Sequence, residues 1–186
     1  MKRIAVYCGS SFGADPIYKD AATRMGETLA QANLELVYGG GKVGLMGTIA
    51  DAVLAAGGQV TGIIPGALES KEIGHPGLTQ LEVVADMHSR KKRMSDLADG
   101  FIAMPGGVGT MEEIFEVWTW AQLGYHHKPC AFLNINGYYD RLLGFIDQMI
   151  NDGFMRPEFG QMIIVSDNPA TILEAFADYR PPHDKW

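Results

Sequence analysis

Residues 100–135 read Gly100-Phe101-Ile102-Ala103-Met104-Pro105-Gly106-Gly107-Val108-Gly109-Thr110-Met111-Glu112-Glu113-Ile114-Phe115-Glu116-Val117-Trp118-Thr119-Trp120-Ala121-Gln122-Leu123-Gly124-Tyr125-His126-His127-Lys128-Pro129-Cys130-Ala131-Phe132-Leu133-Asn134-Ile135. An apolar run at 100–104 leads through a glycine-rich turn into a stretch of helical spacing at 110–123. Gly124 ends that stretch, and a second apolar run follows at 130–135. The tetrapeptide Cys130-Ala131-Phe132-Leu133 shows no polar alternation, which suits a strand covered on both faces and therefore a parallel sheet.

The same rhythm extends in both directions. Runs at 4–8, 34–38, 60–64, 81–84 and 162–165 read as further strands, and segments 16–32, 45–56, 87–98, 138–151 and 169–179 as helices. Repeated strand–helix alternation with right-handed crossovers predicts a three-layer, Rossmann-like α/β sandwich with a mainly parallel sheet, formed as one domain over 1–186. Such sheets bind ligands beyond the carboxyl ends of the strands, where strand order reverses, so the loops after strands are the ones to search.

Composition narrows the function. Of 186 residues 47% are hydrophobic and 20% charged, an ordinary globular balance. The net charge is -7 and the only dense basic run is Arg90-Lys91-Lys92-Arg93, which argues against nucleic acid as a partner. Cys8 and Cys130 lie far apart in apolar runs, without the spacing of a disulfide framework or a zinc site. No apolar stretch approaches the roughly 20 residues that span a bilayer. The expectation is a cytoplasmic protein without membrane association or metal.

Three loops deserve weighing. Cys8-Gly9-Ser10-Ser11 either holds a phosphate through a hydroxyl such as that of Ser10 or caps the following helix. Gly39-Gly40-Gly41-Lys42-Val43-Gly44 contains the spacing of a dinucleotide fingerprint, but it follows the second strand and lacks an acidic residue about 20 positions on. It reads as close backbone approach to a ligand or to a neighbouring loop, or as a plain tight turn. The third, 104–113, carries the most. Gly106, Gly107, Gly109 and Thr110 leave room for a ligand to reach the backbone, and a helix beginning at Thr110 would aim its N–H groups and positive dipole end at a phosphate. Thr110 and Glu113 also have the spacing of a capping box, in which Glu113 serves only the helix end.

A second clue lies at 87–98. At 3.6 residues per turn Met87, Arg90, Met94 and Leu97 share a face, so a guanidinium stands on a stripe that seeks the core. Arg90 needs an anionic partner or a lined cavity there, unless its stem alone is covered and its head reaches water. His88 is a possible acid or base beside it, or an ordinary polar contact. His126 and His127 have no acidic or cysteine ligand at metal spacing.

Met87-His88-x-Arg90-Lys91 followed by Pro105-Gly106-Gly107-x-Gly109-Thr110-x-x-Glu113 resembles the paired signature of the LONELY GUY family, formerly labelled lysine decarboxylases. The similarity continues in Tyr38-Gly39-Gly40-Gly41, Trp120-Ala121-Gln122-Leu123-Gly124 and Asn136-Gly137-Tyr138-Tyr139, and fades after about residue 168. The resemblance implies hydrolysis of an adenine-type nucleoside 5′-monophosphate, a cytokinin riboside monophosphate or AMP, to free base and ribose 5-phosphate, without a cofactor and by a homodimer. It places Arg90 and Glu113 as the catalytic pair. Glu72, Arg90, Lys91, the run Gly107, Val108, Gly109, Thr110, Met111, Glu112 and Glu113, and Thr119 then contact substrate. Ser10, Gly39, Gly40, Gly41 and His88 are secondary candidates. The competing reading is a non-catalytic nucleotide or cofactor carrier of the same superfamily. Helix 110–123 is apolar nearly all round, which calls for cover on more than one side, from the chain's own core or from a second subunit.

Overall fold

The computed structural model describes residues 1–72 and 74–182, with backbone alone for 70–72. Each of the seven apolar runs forms a strand: β1 (Arg3–Tyr7), β2 (Glu35–Tyr38), β3 (Val60–Pro65), β4 (Gln80–Val84), β5 (Gly100–Ala103), β6 (Cys130–Leu133) and β7 (Ile163–Ser166). They make one sheet in the order β4-β3-β2-β1-β5-β6-β7, with every neighbouring pair parallel. Strand order reverses between β1 and β5, and a crevice opens there beyond the strand ends.

Helices cover both faces. On one side α1 (Ile17–Gln31), α2 (Gly44–Ala55) and α8 (Pro169–Asp178) bury Met25, Ile49 and Phe176 against Ile4, Val6 and Ile102. On the other, α4 (Met87–Leu97), α5 (Val108–Gln122), α6 (Asp140–Asn151) and α7 (Pro157–Gly160) bury Met94, Trp118, Ile146 and Phe159 against Ala5, Phe101 and Phe132. Successive residues of β1 thus enter opposite cores, as the period of two requires. Each fully buried Leu, Ile or Phe side chain contributes about 1.5–3 kcal/mol before chain entropy is counted.

Two helices were not foreseen. The short α3 (Gly66–Glu72) and α7 lie in stretches that read as connections, because one or two turns hold too few apolar positions to establish a period. Strand β6 stops at Leu133, two residues before the end of its apolar run. Asn136 takes a left-handed conformation (φ 52°) within a 3₁₀ turn at Ile135–Gly137, and α6 starts only at Asp140.

Candidate active site

The loops after β1, β2 and β5 are knitted together at the point of strand reversal. The Gly9 N–H donates to the Pro105 carbonyl and the Leu45 N–H to the Gly9 carbonyl, each at 3.1 Å. Gly44 has φ 58°, and a side chain there would overlap the backbone of Ser10 and Ser11, so the second glycine loop owes this residue to its neighbour loop. Beside this knot lies a cleft of about 410 Å³, lined by Cys8, Gly9, Ser10, Met46, Leu68, Met87, Arg90, Gly107, Val108, Gly109, Thr110, Glu112 and Glu113.

Helix α5 enters the site two residues earlier than its spacing suggested. Its N-cap is Gly107 in extended conformation, with no side-chain cap bond, and the Met111 N–H already donates to the Gly107 carbonyl at 3.2 Å. The Thr110–Glu113 capping box is therefore not what starts the helix. The N–H groups at the helix start have no carbonyl four residues back and are oriented as donors toward the helix mouth. Glu113 falls in the second turn. Helical side chains slant toward the N-terminus, so a carboxylate at this position leans back over the first turn and into the cleft.

The glycines of this loop have different reasons. A Cβ on Gly106 would overlap the Thr110 hydroxyl, a close approach within the loop. A Cβ on Gly107 or Gly109 would meet no atom within 4 Å, and neither residue has a positive φ. Packing and backbone conformation thus leave these two glycines unexplained, while both border the cleft.

Helix α4 delivers Arg90. Asp86 caps the helix by accepting from the Ser89 N–H at 2.7 Å, and Met94 anchors its buried face. Arg90 is only 5% exposed, so its head does not reach bulk water, and its Nη2 donates to the Gly39 carbonyl at 3.0 Å. A side chain on Gly39 would overlap this guanidinium, which accounts for that glycine. Arg90 and Glu113 both border the cleft and both act on Tyr7, buried at the end of β1. Burial, followed by the Glu113 carboxylate, pushes the Tyr7 hydroxyl well above its ordinary range, and the Arg90 guanidinium pulls it back.

Lys91 points elsewhere. Its ammonium binds Glu112 and, at 3.1 Å, Glu116, which ties α4 to α5 next to the Arg90 and Glu113 positions. Burial draws Lys91 down, but the two carboxylates outweigh it and leave the ammonium raised above its ordinary range. Among the other candidates, Ser10 borders the cleft, whereas Met111 packs toward the β5–β6 core and His88 is exposed. Thr119 is exposed on α5 and donates to the Phe115 carbonyl at 2.7 Å. Gly40 and Gly41 are buried behind Gly39, with the Gly40 carbonyl accepting from the His75 N–H. The side chain of Glu72 lies outside the described residues. The Cys8-Gly9-Ser10 loop singled out in the sequence does border the cleft, whereas sequence reasoning missed Met46 and Leu68. The only available signal for these two was their place at helix starts, since apolar side chains announce no chemistry.

A family profile described as "Possible lysine decarboxylase" matches residues 46–176. A probable cytokinin riboside 5′-monophosphate phosphoribohydrolase of Oryza sativa subsp. japonica is 46% identical over 184 residues, covering 99% of this chain and 75% of the relative. A cytokinin riboside 5′-monophosphate phosphoribohydrolase of Arabidopsis thaliana is 47% identical over 184 residues, covering 99% and 86%. The chain belongs to the LONELY GUY family. The fold of this LONELY GUY protein also matches the molybdenum cofactor carrier protein of Chlamydomonas reinhardtii, with a TM-score of 0.70 at 17% identity over 95% of this chain and 96% of that one. The molybdenum cofactor binding protein of Rippkaea orientalis gives 0.71 at 20% identity over 96% and 97%. At these identities the likeness is one of fold.

The older decarboxylase label would ask for a lysine that forms a Schiff base with pyridoxal phosphate. Lys91, the buried lysine of the described residues, does not fit. Two carboxylates hold it as an ammonium, and a nucleophilic amine must be neutral.

Proposed function

We propose that this protein hydrolyses the N-glycosidic bond of an adenine-type nucleoside 5′-monophosphate, releasing the base and ribose 5-phosphate. The observation that carries this reading is one cleft bordered by Arg90, by Glu113 and by the glycines at the mouth of α5. The phosphate sits at the helix mouth, against Gly106, Gly107, Gly109 and Thr110, where N–H donors and the helix dipole favour an anion. Met46, Leu68 and Met87 supply apolar lining suited to a flat purine.

Breaking the bond between C1′ and the base leaves an oxocarbenium-like ribosyl group, and its electron pair departs with the base. The Glu113 carboxylate stabilises that positive charge and orients water for attack on C1′. Arg90, anchored on Gly39, holds Glu113 or the departing base through charge-assisted hydrogen bonds. In the balance, hydroxide from water ends on C1′ and a proton on the base.

The direct test is a panel of 5′-monophosphates assayed for free base, AMP and N6-prenylated AMP among them. Tight binding of these compounds with no base released from any would favour the carrier reading and defeat this one. A second expectation concerns the anchor. Binding energy at the phosphate is used to orient the distant sugar, so kcat/KM for adenosine should fall at least about 100-fold below that for AMP. Equal turnover of nucleoside and nucleotide, measured by base release, would remove the phosphate site.

The same reading makes the protein a homodimer. Helix α5 buries Ile114, Val117, Trp118 and Ala121 in its own core, but Met111, Phe115, Trp120 and Leu123 stay half-buried, and Tyr125 beyond the helix is 76% exposed. A second copy covering these side chains gives twice the 20.3 kDa chain mass by light scattering. A stable monomer at assay concentrations is the contrary result. Both cysteines are free and buried, which accords with action in the reducing cytosol.

A further inference from the structure

The segment after β6, Asn134-Ile135-Asn136-Gly137-Tyr138-Tyr139-Asp140, takes no part in the chemistry above, yet it is tightly built. Two successive left-handed residues, Asn136 at φ 52° and Gly137 at φ 68°, turn its backbone. Asn134 locks the turn. Its Oδ1 accepts from the Tyr139 N–H at 2.7 Å, and its Nδ2 donates to Asp140 Oδ1 at 2.8 Å. The result is a pair of adjacent tyrosines whose hydroxyls both reach the loop after β5. Tyr138 donates to the Gly106 carbonyl and Tyr139 to the Met104 carbonyl, each at 2.5 Å. The Tyr138 ring is held edge-on against Tyr18 and Tyr139, with centroids 5.7 and 4.9 Å away.

The two bonds differ in consequence. In a trans peptide the C=O and N–H groups point in opposite directions, and no peptide among the described residues is cis. Holding the Gly106 carbonyl therefore turns the N–H of Gly107, a cleft residue, away from Tyr138. Glycines flank that peptide on both sides, so no Cβ resists its rotation. A rotated peptide would present a carbonyl oxygen to an anion where an N–H is needed. The Met104 carbonyl precedes Pro105, which has no N–H, so the Tyr139 bond can aim no donor and serves to anchor the loop.

We infer that Tyr138 is a positioning residue for phosphate recognition: by fixing the peptide between Gly106 and Gly107, its hydroxyl aims the Gly107 N–H into the cleft. The inference rests on the reading that the α5 mouth holds the 5′-phosphate. It adds a residue that touches no substrate yet controls affinity for one part of it.

The test is calorimetric titration of the full chain with ribose 5-phosphate and, separately, with adenine. Tyr138→Phe keeps the ring and its edge contacts, and it should weaken ribose 5-phosphate about tenfold, the size of a lost hydrogen bond to an anion, while adenine affinity stays unchanged. KM for the monophosphate should rise in proportion, with kcat moving less. Tyr139→Phe should instead lower the melting temperature without separating the two ligands. Equal weakening of both ligands by Tyr138→Phe, or no weakening of ribose 5-phosphate, overturns the inference. Should the wild-type protein bind ribose 5-phosphate but release no base from any monophosphate, the hydrolase reading fails, and the same two variants still decide the role of Tyr138.

Discussion

Glu113→Ala is expected to lower kcat for base release by about 10³-fold while changing KM for the monophosphate little, a loss in the range for removing one positioned carboxylate or charge-stabilising group. The separation follows from the layout. In the proposed layout the phosphate is held by backbone at the mouth of α5 and the purine by apolar side chains of the cleft, so most ground-state binding should survive when the carboxylate is removed. What is lost is stabilisation of charge that exists only as the glycosidic bond breaks, and such a loss appears in kcat. Glu112→Ala is the control. Glu112 is exposed and paired with Lys91, and the remaining Glu116 still engages that ammonium, so its effect should be much smaller. Single-turnover measurements on both variants check this, and equal losses would mean that the two adjacent acids cannot be told apart by role.

Gly39→Ala should impair the enzyme about 100-fold without unfolding it. The added methyl would overlap the Arg90 guanidinium, the far end of a flexible side chain, so the protein relieves the clash by moving Arg90 and not by moving backbone. Residue 39 does not need a positive φ, so alanine is tolerated there conformationally. Once displaced, Arg90 loses its bond to the Gly39 carbonyl and its approach to the cleft. The expected fall in kcat/KM is about 100-fold, or roughly 2.7 kcal/mol, with a melting temperature near that of the parent. Arg90→Ala should give a comparable fall, and combining the two should add little, because both act on the same group. Additive losses in the double variant would show that Gly39 matters for another reason.

Much of this site could be read from residue types alone. A guanidinium on the Met87–Met94 face needs an explanation wherever the helix packs, and glycines ahead of an apolar helix leave backbone N–H groups accessible in any α/β arrangement. The seven strands were equally legible, since short continuous apolar runs separated by turn residues and helical segments suit strands covered on both faces. Elements without such a period were not. The single-turn α7 and the short α3, which brings Leu68 to the cleft, became visible only in three dimensions. The start of α5 was misplaced for a related reason, because Gly107 caps it with backbone alone and leaves no side-chain signal.

Local order along the chain therefore determined which segments are strands and helices, and which side chains carry charge onto apolar faces, because both depend on neighbours within a few residues. The tertiary structure alone decided that strand order reverses between β1 and β5, so that a loop near residue 10 and a loop near residue 107 meet over Arg90 from a third segment. It also decided that Lys91 faces two carboxylates of α5 while Arg90 faces the cleft, and that a tyrosine from beyond β6 grips the Gly106 carbonyl. Those facts depend on contacts between residues tens of positions apart, which are set by the packing of the whole sheet and leave no periodic trace in the chain.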